Sequence, residues 1–327
     1  VFTKERKMKW AAFFVVFLWL GKENSALWVA FICFGLSLLH WKERTWRFFL
    51  IASGFASLVY FVVLMKFVMP ALSSDGVYPH FDYNCLGATM PEAIAHLIKH
   101  PLDSLRLLVS NFKGDPMGDN IKSDLLKFLL FSGLGVLLFR PAYLLMLVPV
   151  FFQKLFHDSI NIWGAGFHYC IEFTPILAIG IFEVTGKIRR STLRKATGGI
   201  VVASAMVVTY IRLGDVYLYA QIESLDFLSK AHYEKSYDVQ PVYEAFKQIP
   251  PDAIVSSQSN LLPHLANRDF CYMYPVIKDA EYVILAKKDS SYPLSDSLFQ
   301  VEIRNFQQSG DWIKLVDNKE VLLLKKQ

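Results

Sequence analysis

Charge is in short supply in this sequence. Only 19% of its 327 residues are Asp, Glu, Lys or Arg, against about a quarter in ordinary soluble domains. The basic residues form no stripe, so the net charge of +5 is no sign of a nucleic-acid partner. The four cysteines, Cys33, Cys85, Cys170 and Cys271, make no C-x-x-C pair and no zinc pattern. Cys33 sits in an apolar run as a small apolar residue. Cys85 and Cys271 are the two that could face an oxidising compartment, and they are expected to stay unpaired. No G-x-G-x-x-G, P-loop, H-E-x-x-H helix or nucleophile elbow occurs, which excludes the common nucleotide, zinc-protease and hydrolase signatures. There is no internal repeat. An initiator Met and a signal-peptide pattern are also missing from the start, "VFTKERKMKW", so an N-terminal part is expected ahead of Val1.

What fills the chain instead is apolar. Hydrophobic residues are 54% and aromatics 15%, gathered in blocks at roughly Trp10–Gly21, Ser25–Leu39, Trp46–Met69, Leu125–Phe139, Pro141–Phe156, Cys170–Gly186 and Thr197–Leu213. A bilayer core of roughly 30 Å takes about 20 helical residues. Only Trp46–Met69 meets that length comfortably, so the other helices must extend past their apolar cores. Basic residues lie before the first block (Lys4, Arg6, Lys7, Lys9), between the second and third (Lys42, Arg44, Arg47), between the fourth and fifth (Arg140), and between the sixth and seventh (Lys187, Arg189, Arg190, Arg194, Lys195). If every block crosses, all four basic connections share one side, which the positive-inside rule makes cytoplasmic. One broken helix over Trp10–Leu39 would split the basic clusters between two sides. The expected fold is therefore an α-helical polytopic membrane bundle of about seven spans, residues 1–214, with an external loop at 71–124. An extracytoplasmic α/β module occupies 215–327.

The loop carries its own signals. Thr89, Pro91 and Glu92 read as a capped helix start, Ile94, Leu97 and Ile98 repeat at helical spacing, and Pro101 ends that helix. Leu102–Phe112 is a second amphipathic piece suited to the membrane interface. Ser73–Tyr78 has turn chemistry, and Asp75, His80 and Asp82 are the loop's densest titratable group. After Gly214, Val239–Gln248 predicts a helix. "AIVSSQ", "FCYMYP" and "EYVILAK" predict strands, "NLLPHLANR" a short helix, and "WIKLVDN" with "EVLLLKK" a hairpin turning near Asp317–Asn318. Ser256–Asn260, between a strand and a helix start, is a position able to bind an anionic group.

Two polar groups stand out against the apolar blocks. Lys22 and Glu23, in "GKENSALW", fall at the non-cytoplasmic turn between two short helices. About 11 residues rise only ~16 Å, so this turn is expected below the membrane surface, where polar backbone is tolerated only beside protein or a watery cavity. Ionisable groups there mark function, although an exposed turn with an ion pair is the plainer reading. His168 and Tyr169 precede the sixth block, with Glu172 at i+4 from His168. They emerge on the same side as Lys22. A hydrogen-bonded interface histidine is the plainer reading there. Together the two groups suggest one external cavity able to hold a phosphate by charge-assisted hydrogen bonds, with Glu23 orienting Lys22. No metal ligand set is present.

"KENSALWVAFICFGLSLL", "CLGATMPEAIAHLIKHP", "FHYCIEFTPIL" and "SSQSNLLPHLANRDFCYMYP" resemble, in order, segments of the DUF2079 family of predicted bacterial and archaeal membrane proteins. Where that family is expected to open a helix with Lys-Glu-Asp, this chain has Lys22, Glu23 and Asn24. The family in turn resembles GT-C glycosyltransferases, which use polyprenyl-phosphate sugars on the non-cytoplasmic face of the plasma membrane. The resemblance implies a lipid-linked sugar as partner and donor, its phosphate near Lys22 and near His168 and Tyr169. It also implies a principal catalytic acid in a first external loop ahead of Val1. A non-catalytic scaffold and a transporter or lipid-binding protein are the alternatives; a transporter would carry polar residues through its spans, and these spans are nearly free of them.

Overall fold

In the computed structural model, residues 7–73, 81–165, 168–220, 227, 229–234 and 237–327 are described, except for the side chains of 168, 169 and 214–220. Asp75, His80 and most of the Ser73–Tyr78 turn lie outside the described residues. Contacts divide the chain into two units, residues 1–222 and 223–327.

The first unit is helical. Its first three helices are α1 (Met8–Trp19), α2 (Ser25–Leu39) and α3 (Arg44–Val63). One π-helical turn, Leu64–Val68, carries α3 on into α4 (Met69–Leu72). The 71–124 loop holds α5 (Met90–Lys99) and α6 (Pro101–Leu107). Then come α7 (Ile121–Phe131), α8 (Pro141–Leu155), the short α9 (Ile160–Trp163), α10 (Thr174–Gly186) and α11 (Ser191–Ala220). Two continuous helices have the length and apolarity to cross a membrane, Arg44–Leu72 and Ser191–Leu213; Met8–Trp19, Ser25–Leu39 and Pro141–Leu155 are apolar but shorter. All seven apolar blocks are thus largely helical, and two are of spanning length. The fourth block is broken, because Gly133 takes φ +104°. There α7 stops and gives way to a 3₁₀ segment, Leu134–Phe139.

The core of this unit is α2 packed against both α3 and α8. Its approach to α8 is set by Gly35: a Cβ there would meet Met146 Cγ at 2.5 Å and the Ala142 carbonyl at 2.6 Å, so only glycine lets the two backbones come this close. Trp46, Leu50, Gly54, Ser57 and Phe61 form the buried stripe of α3, at the i, i+4 and i+3 intervals of one helix face. Beyond Phe61 the stripe ends, and Val62, Val63, Phe67, Val68 and Leu72 are all exposed.

One expectation for the 71–124 loop is corrected. Thr89 makes no side-chain cap; the Glu92 carboxylate takes the Ala88 N–H instead, at 2.9 Å, since an acid one turn in can reach back to the orphan donors. His168–Phe173 is a 3₁₀ segment.

The second unit is a five-stranded sheet in the order β2-β1-β3-β5-β4, made of β1 (Val255–Ser257), β2 (Cys271–Met273), β3 (Tyr282–Ala286), β4 (Trp312–Asp317) and β5 (Val321–Lys326). β1 pairs in parallel with β2 and β3, and β5 antiparallel with β3 and β4. Alternate residues of a strand face opposite sides. Tyr282, Ile284, Ala286, Val321 and Leu323 pack on one side with Val242 and Ala245 of α12 (Gln240–Phe246). Val283, Leu285, Leu322 and Leu324 pack on the other with Phe299, Ile303 and Phe306 of α13 (Asp296–Gln308). Covering both faces explains why β3 is apolar throughout. The hairpin turns at Asn318, whose side chain accepts from the N–H groups of Glu320 and Val321.

Candidate functional site

Lys22 stands where the sequence puts it, on the turn between α1 and α2. The turn is closed by two bonds: Ser25 N–H to the Lys22 carbonyl at 2.9 Å and Lys22 N–H to Ser25 Oγ at 3.2 Å. The Lys22 side chain is exposed and Glu23 half-buried. The Lys22 ammonium lies 5.8 Å from the centroid of the Trp28 ring, inside cation–π range.

The depth of this turn is measurable against α3. Trp19, two residues before Gly21, stacks on Tyr60 (5.0 Å between centroids, 15° between planes), and its indole N–H donates to Ser57 Oγ at 2.9 Å. The helix then runs from Tyr60 to Leu72, roughly 18 Å farther at 1.5 Å per residue. The turn therefore stops well short of the end of its neighbour, beside an exposed apolar helical wall.

Trp28 ties this turn to the end of α8. Its indole N–H donates to Gln153 Oε1 at 2.5 Å, and Trp28, Phe151, Cys170 and Phe173 belong to one apolar cluster. Next to Gln153, Lys154 is only 3% exposed; the Cys170 thiol and the Glu172 carboxylate bear electrostatically on it. Glu172 Oε2 is buried without a hydrogen-bond partner. The backbone at His168–Phe173 thus reaches the helix end that also meets the Lys22 turn. The His168 and Tyr169 side chains are not among those described.

A denser polar cluster lies where the 71–124 loop docks on the segment after α8. Asp158 accepts from Asn84 through the backbone N–H at 3.0 Å and the side-chain amide at 2.7 Å, and pairs with Lys113 at 3.3 Å. Burial would raise its pKa, but the Asn84 donors and the Lys113 cation outweigh it and hold the carboxyl below its ordinary value. His157 Nδ1 accepts from the Ser159 N–H at 2.9 Å, which leaves Nε2 as the protonated nitrogen, 3.8 Å from Asp82. Burial lowers this imidazole's pKa against the pull of Asp82 and Asp158. Cys85 donates to the Phe156 carbonyl; burial pushes its thiol up to about 11, which rules it out as a thiolate nucleophile at neutral pH.

Lys122, in the first turn of α7, is 2% exposed. Its ammonium lies 4.2 Å from the ring centroids of both Phe112 and Trp163 and donates to the Leu107 carbonyl at 2.5 Å. Burial lowers its pKa to about 8. All four cysteines are free thiols. Among the described residues no group of three or more His, Cys, Asp or Glu is placed to hold a metal.

In the second unit, the anion-binding expectation at Ser256–Asn260 does not survive. Ser256 Oγ donates to the Val276 carbonyl. Gln258 bridges the Ser290 carbonyl and the Ala286 N–H, and Asn260 donates to Asp289. The side chains are spent inside the fold, and the next element is only a one-turn 3₁₀ segment, Leu262–Leu265.

This helical architecture with its recessed turn meets one family along almost its whole length. The chain belongs to the DUF2079 family of predicted membrane proteins, which matches residues 1–323. No curated protein and no solved structure matches it. Within this DUF2079 protein, sequence reasoning found Lys22 because a charge between apolar runs is conspicuous. It missed Lys122, Lys154 and His157–Asp158. For Lys154 and His157–Asp158 the available signal was "FFQKLFHDS", five polar residues crowded at the end of an apolar helix.

Proposed function

We propose that this DUF2079 protein is a GT-C-like membrane glycosyltransferase that takes a polyprenyl-phosphate-linked sugar on the non-cytoplasmic face of the plasma membrane. The observation that carries this reading is the recessed cationic turn. The neighbouring helix ends about 18 Å beyond the level of Tyr60, where Trp19 leads into the Lys22 turn; in this reading the turn lies at hydrocarbon depth, where a lysine is costly unless it meets an anion. A lipid-linked phosphate is an anion delivered at that depth by its own apolar chain.

In the transfer an acceptor hydroxyl oxygen bonds to the anomeric carbon and gives its proton to a base, expected ahead of Val1, as the bond from that carbon to the phosphate oxygen breaks. Negative charge grows on the departing polyprenyl phosphate, and the Lys22 ammonium stabilises it there. Glu23 orients Lys22, and His168 and Tyr169 complete the phosphate end of the site. In this reading all seven apolar blocks cross, the basic connections are cytoplasmic, and the 223–327 unit is external and selects the acceptor.

The test is sugar transfer by the full-length protein, reconstituted with polyprenyl-phosphate sugars, comparing Lys22→Ala with Lys22→Arg. Losing one charge-assisted phosphate contact of about 1.5–3 kcal/mol lowers turnover about 10–100-fold in Lys22→Ala, with partial recovery in Lys22→Arg. Equal turnover in all three removes Lys22 from the chemistry.

A further inference from the structure

An apolar groove lies away from Lys22, between α7, α10 and α11. It is a cavity of about 660 Å³, walled by Phe128 and Leu129 of α7, Leu177 and Ile181 of α10, and Val201 and Ala205 of α11. Its outer lip is formed by Ile171, Phe182 and Val202, which are largely exposed, so the groove opens sideways. α11 is one of the two helices of spanning length, and none of its apolar window is buried in the protein. If α11 crosses the bilayer, as the proposed function has it, that open side faces hydrocarbon, and an apolar space facing hydrocarbon takes up a chain.

Ser132, Cys170 and Thr174 also line the groove, but the charged residues fall at the Thr185 end. Thr185 Oγ1 lines that end, buried and without a hydrogen-bond partner. Just beyond it, the connection from α10 to α11 carries Lys187, Arg189 and Arg190, and the start of α11 carries Arg194 and Lys195. Lys187 is held by Glu183 at 2.9 Å; the other four are in no ion pair among the described residues. Arg194 is one turn before Gly198, and Gly198, Val201 and Ala205 recur at helical intervals on the face that lines the groove. Four to eight basic residues beside a membrane helix are the pattern that draws anionic phospholipid headgroups.

Length selects the occupant. From Phe173 to Thr185 the groove runs along α10 for about 18 Å, close to one leaflet's share, about 15 Å, of the hydrocarbon core. That suits a single acyl chain; a long polyprenyl chain would leave most of itself outside. We infer that this groove seats one acyl chain of an anionic phospholipid from the leaflet on the basic side, with its phosphate among Arg190, Arg194 and Lys195 and an ester or phosphate oxygen accepting from the Thr185 hydroxyl.

The experiment uses the full chain in phosphatidylcholine liposomes doped with phosphatidylglycerol bearing a diazirine on one acyl chain. After illumination, labelled residues are mapped by mass spectrometry. Crosslinks concentrated on the groove walls of α7, α10 and α11, above those on the exposed Phe13 and Phe17 of α1, are expected. Ala205→Phe, which fills the groove, abolishes that concentration, and Arg194→Gln lowers it about fivefold. Labelling spread evenly over exposed apolar faces overturns the site. Equal yield from a diazirine phosphatidylcholine overturns the headgroup assignment, and displacement by equimolar polyprenyl phosphate overturns the choice of phospholipid. The mapping in the unmodified chain does not depend on a variant folding. None of these outcomes touches Lys22, so the glycosyltransferase reading stands or falls separately.

Discussion

The caged lysine gives the sharpest test of how the 71–124 loop is held. In Lys122→Met the chain keeps a side chain of similar length and loses the charge. Two rings, each 4.2 Å from the ammonium, contribute about 2 kcal/mol apiece for a desolvated cation, and the Leu107 carbonyl bond about 1.5–3 kcal/mol. Burial opposes them. A pKa lowered from 10.5 to about 8 corresponds to roughly 3 kcal/mol against the charged form. For the charged form burial therefore outweighs the cage by roughly 3 kcal/mol, so Lys122→Met, which keeps the packing and removes the charge, should not speed amide hydrogen exchange across residues 101–124 at pH 7. Pairing it with Phe112→Leu in a double-mutant cycle should return about 1–2 kcal/mol of coupling. The pH dependence is the decisive part. Because the folded pKa is below the unfolded one, the folded state releases its proton first as pH rises through about 8. Above that the rings face a neutral amine, and the coupling should fade by pH 9.5. In the unmodified chain the unfolded state still binds that proton between about pH 8 and 10.5, so this group makes loop docking more stable across that window. Additive mutations at pH 7, or a coupling that does not change with pH, would refute the cage as an electrostatic device.

Three further outcomes rest on the same geometry. Asp158→Ala strips acceptors from Asn84 and a partner from Lys113; the loop should lose about 2–3 kcal/mol of docking stability by hydrogen exchange. In the parent chain the contribution of Asp158 should be full above about pH 4 and vanish as pH falls through its lowered folded pKa. Gly35→Leu forces α2 and α8 apart, and thermal unfolding in detergent should show a loss of about 2–4 kcal/mol; an unchanged midpoint would mean the helices are not packed at Gly35. Ser290→Cys, in the second unit, should react with an impermeant thiol reagent in intact cells if the proposed orientation is right, whereas reaction only after lysis reverses the topology.

How much of this was legible beforehand depends on where the cause lies. Ser25–Leu39 matches its expected bounds at both ends because the polar stretch Lys22–Asn24 and His40 interrupt an otherwise unbroken apolar run. Pro141 marks the start of α8 for the same local reason. The break at Gly133 was not read, since a glycine inside an apolar run does not announce a left-handed φ. The helix α13 was missed too: its three buried residues, Phe299, Ile303 and Phe306, are set among ten mostly polar ones. Lys22 was found because a charge between two apolar helices is anomalous on its face. Lys122 and Lys154 look like ordinary helix-end lysines in sequence. Their burial comes from a loop folding over them and from a helix end meeting another segment, neither of which spacing encodes.

The contacts of the 71–124 loop also set a timetable. Nearly every bond that seats it points forward along the chain: Asn84 waits for Asp158, 74 residues later, and Cys85 for Phe156, 71 residues later. At about 5–20 residues per second of synthesis, the ribosome needs roughly 4–15 s to deliver those partners. For that interval the loop's apolar underside, with Phe81, Tyr83, Leu86 and Leu97, has been made and has nothing to rest on. The loop is the early-made, late-seated part of the molecule, and a slow stretch of translation between residues 125 and 155 would prolong its exposure more than one placed anywhere after α9.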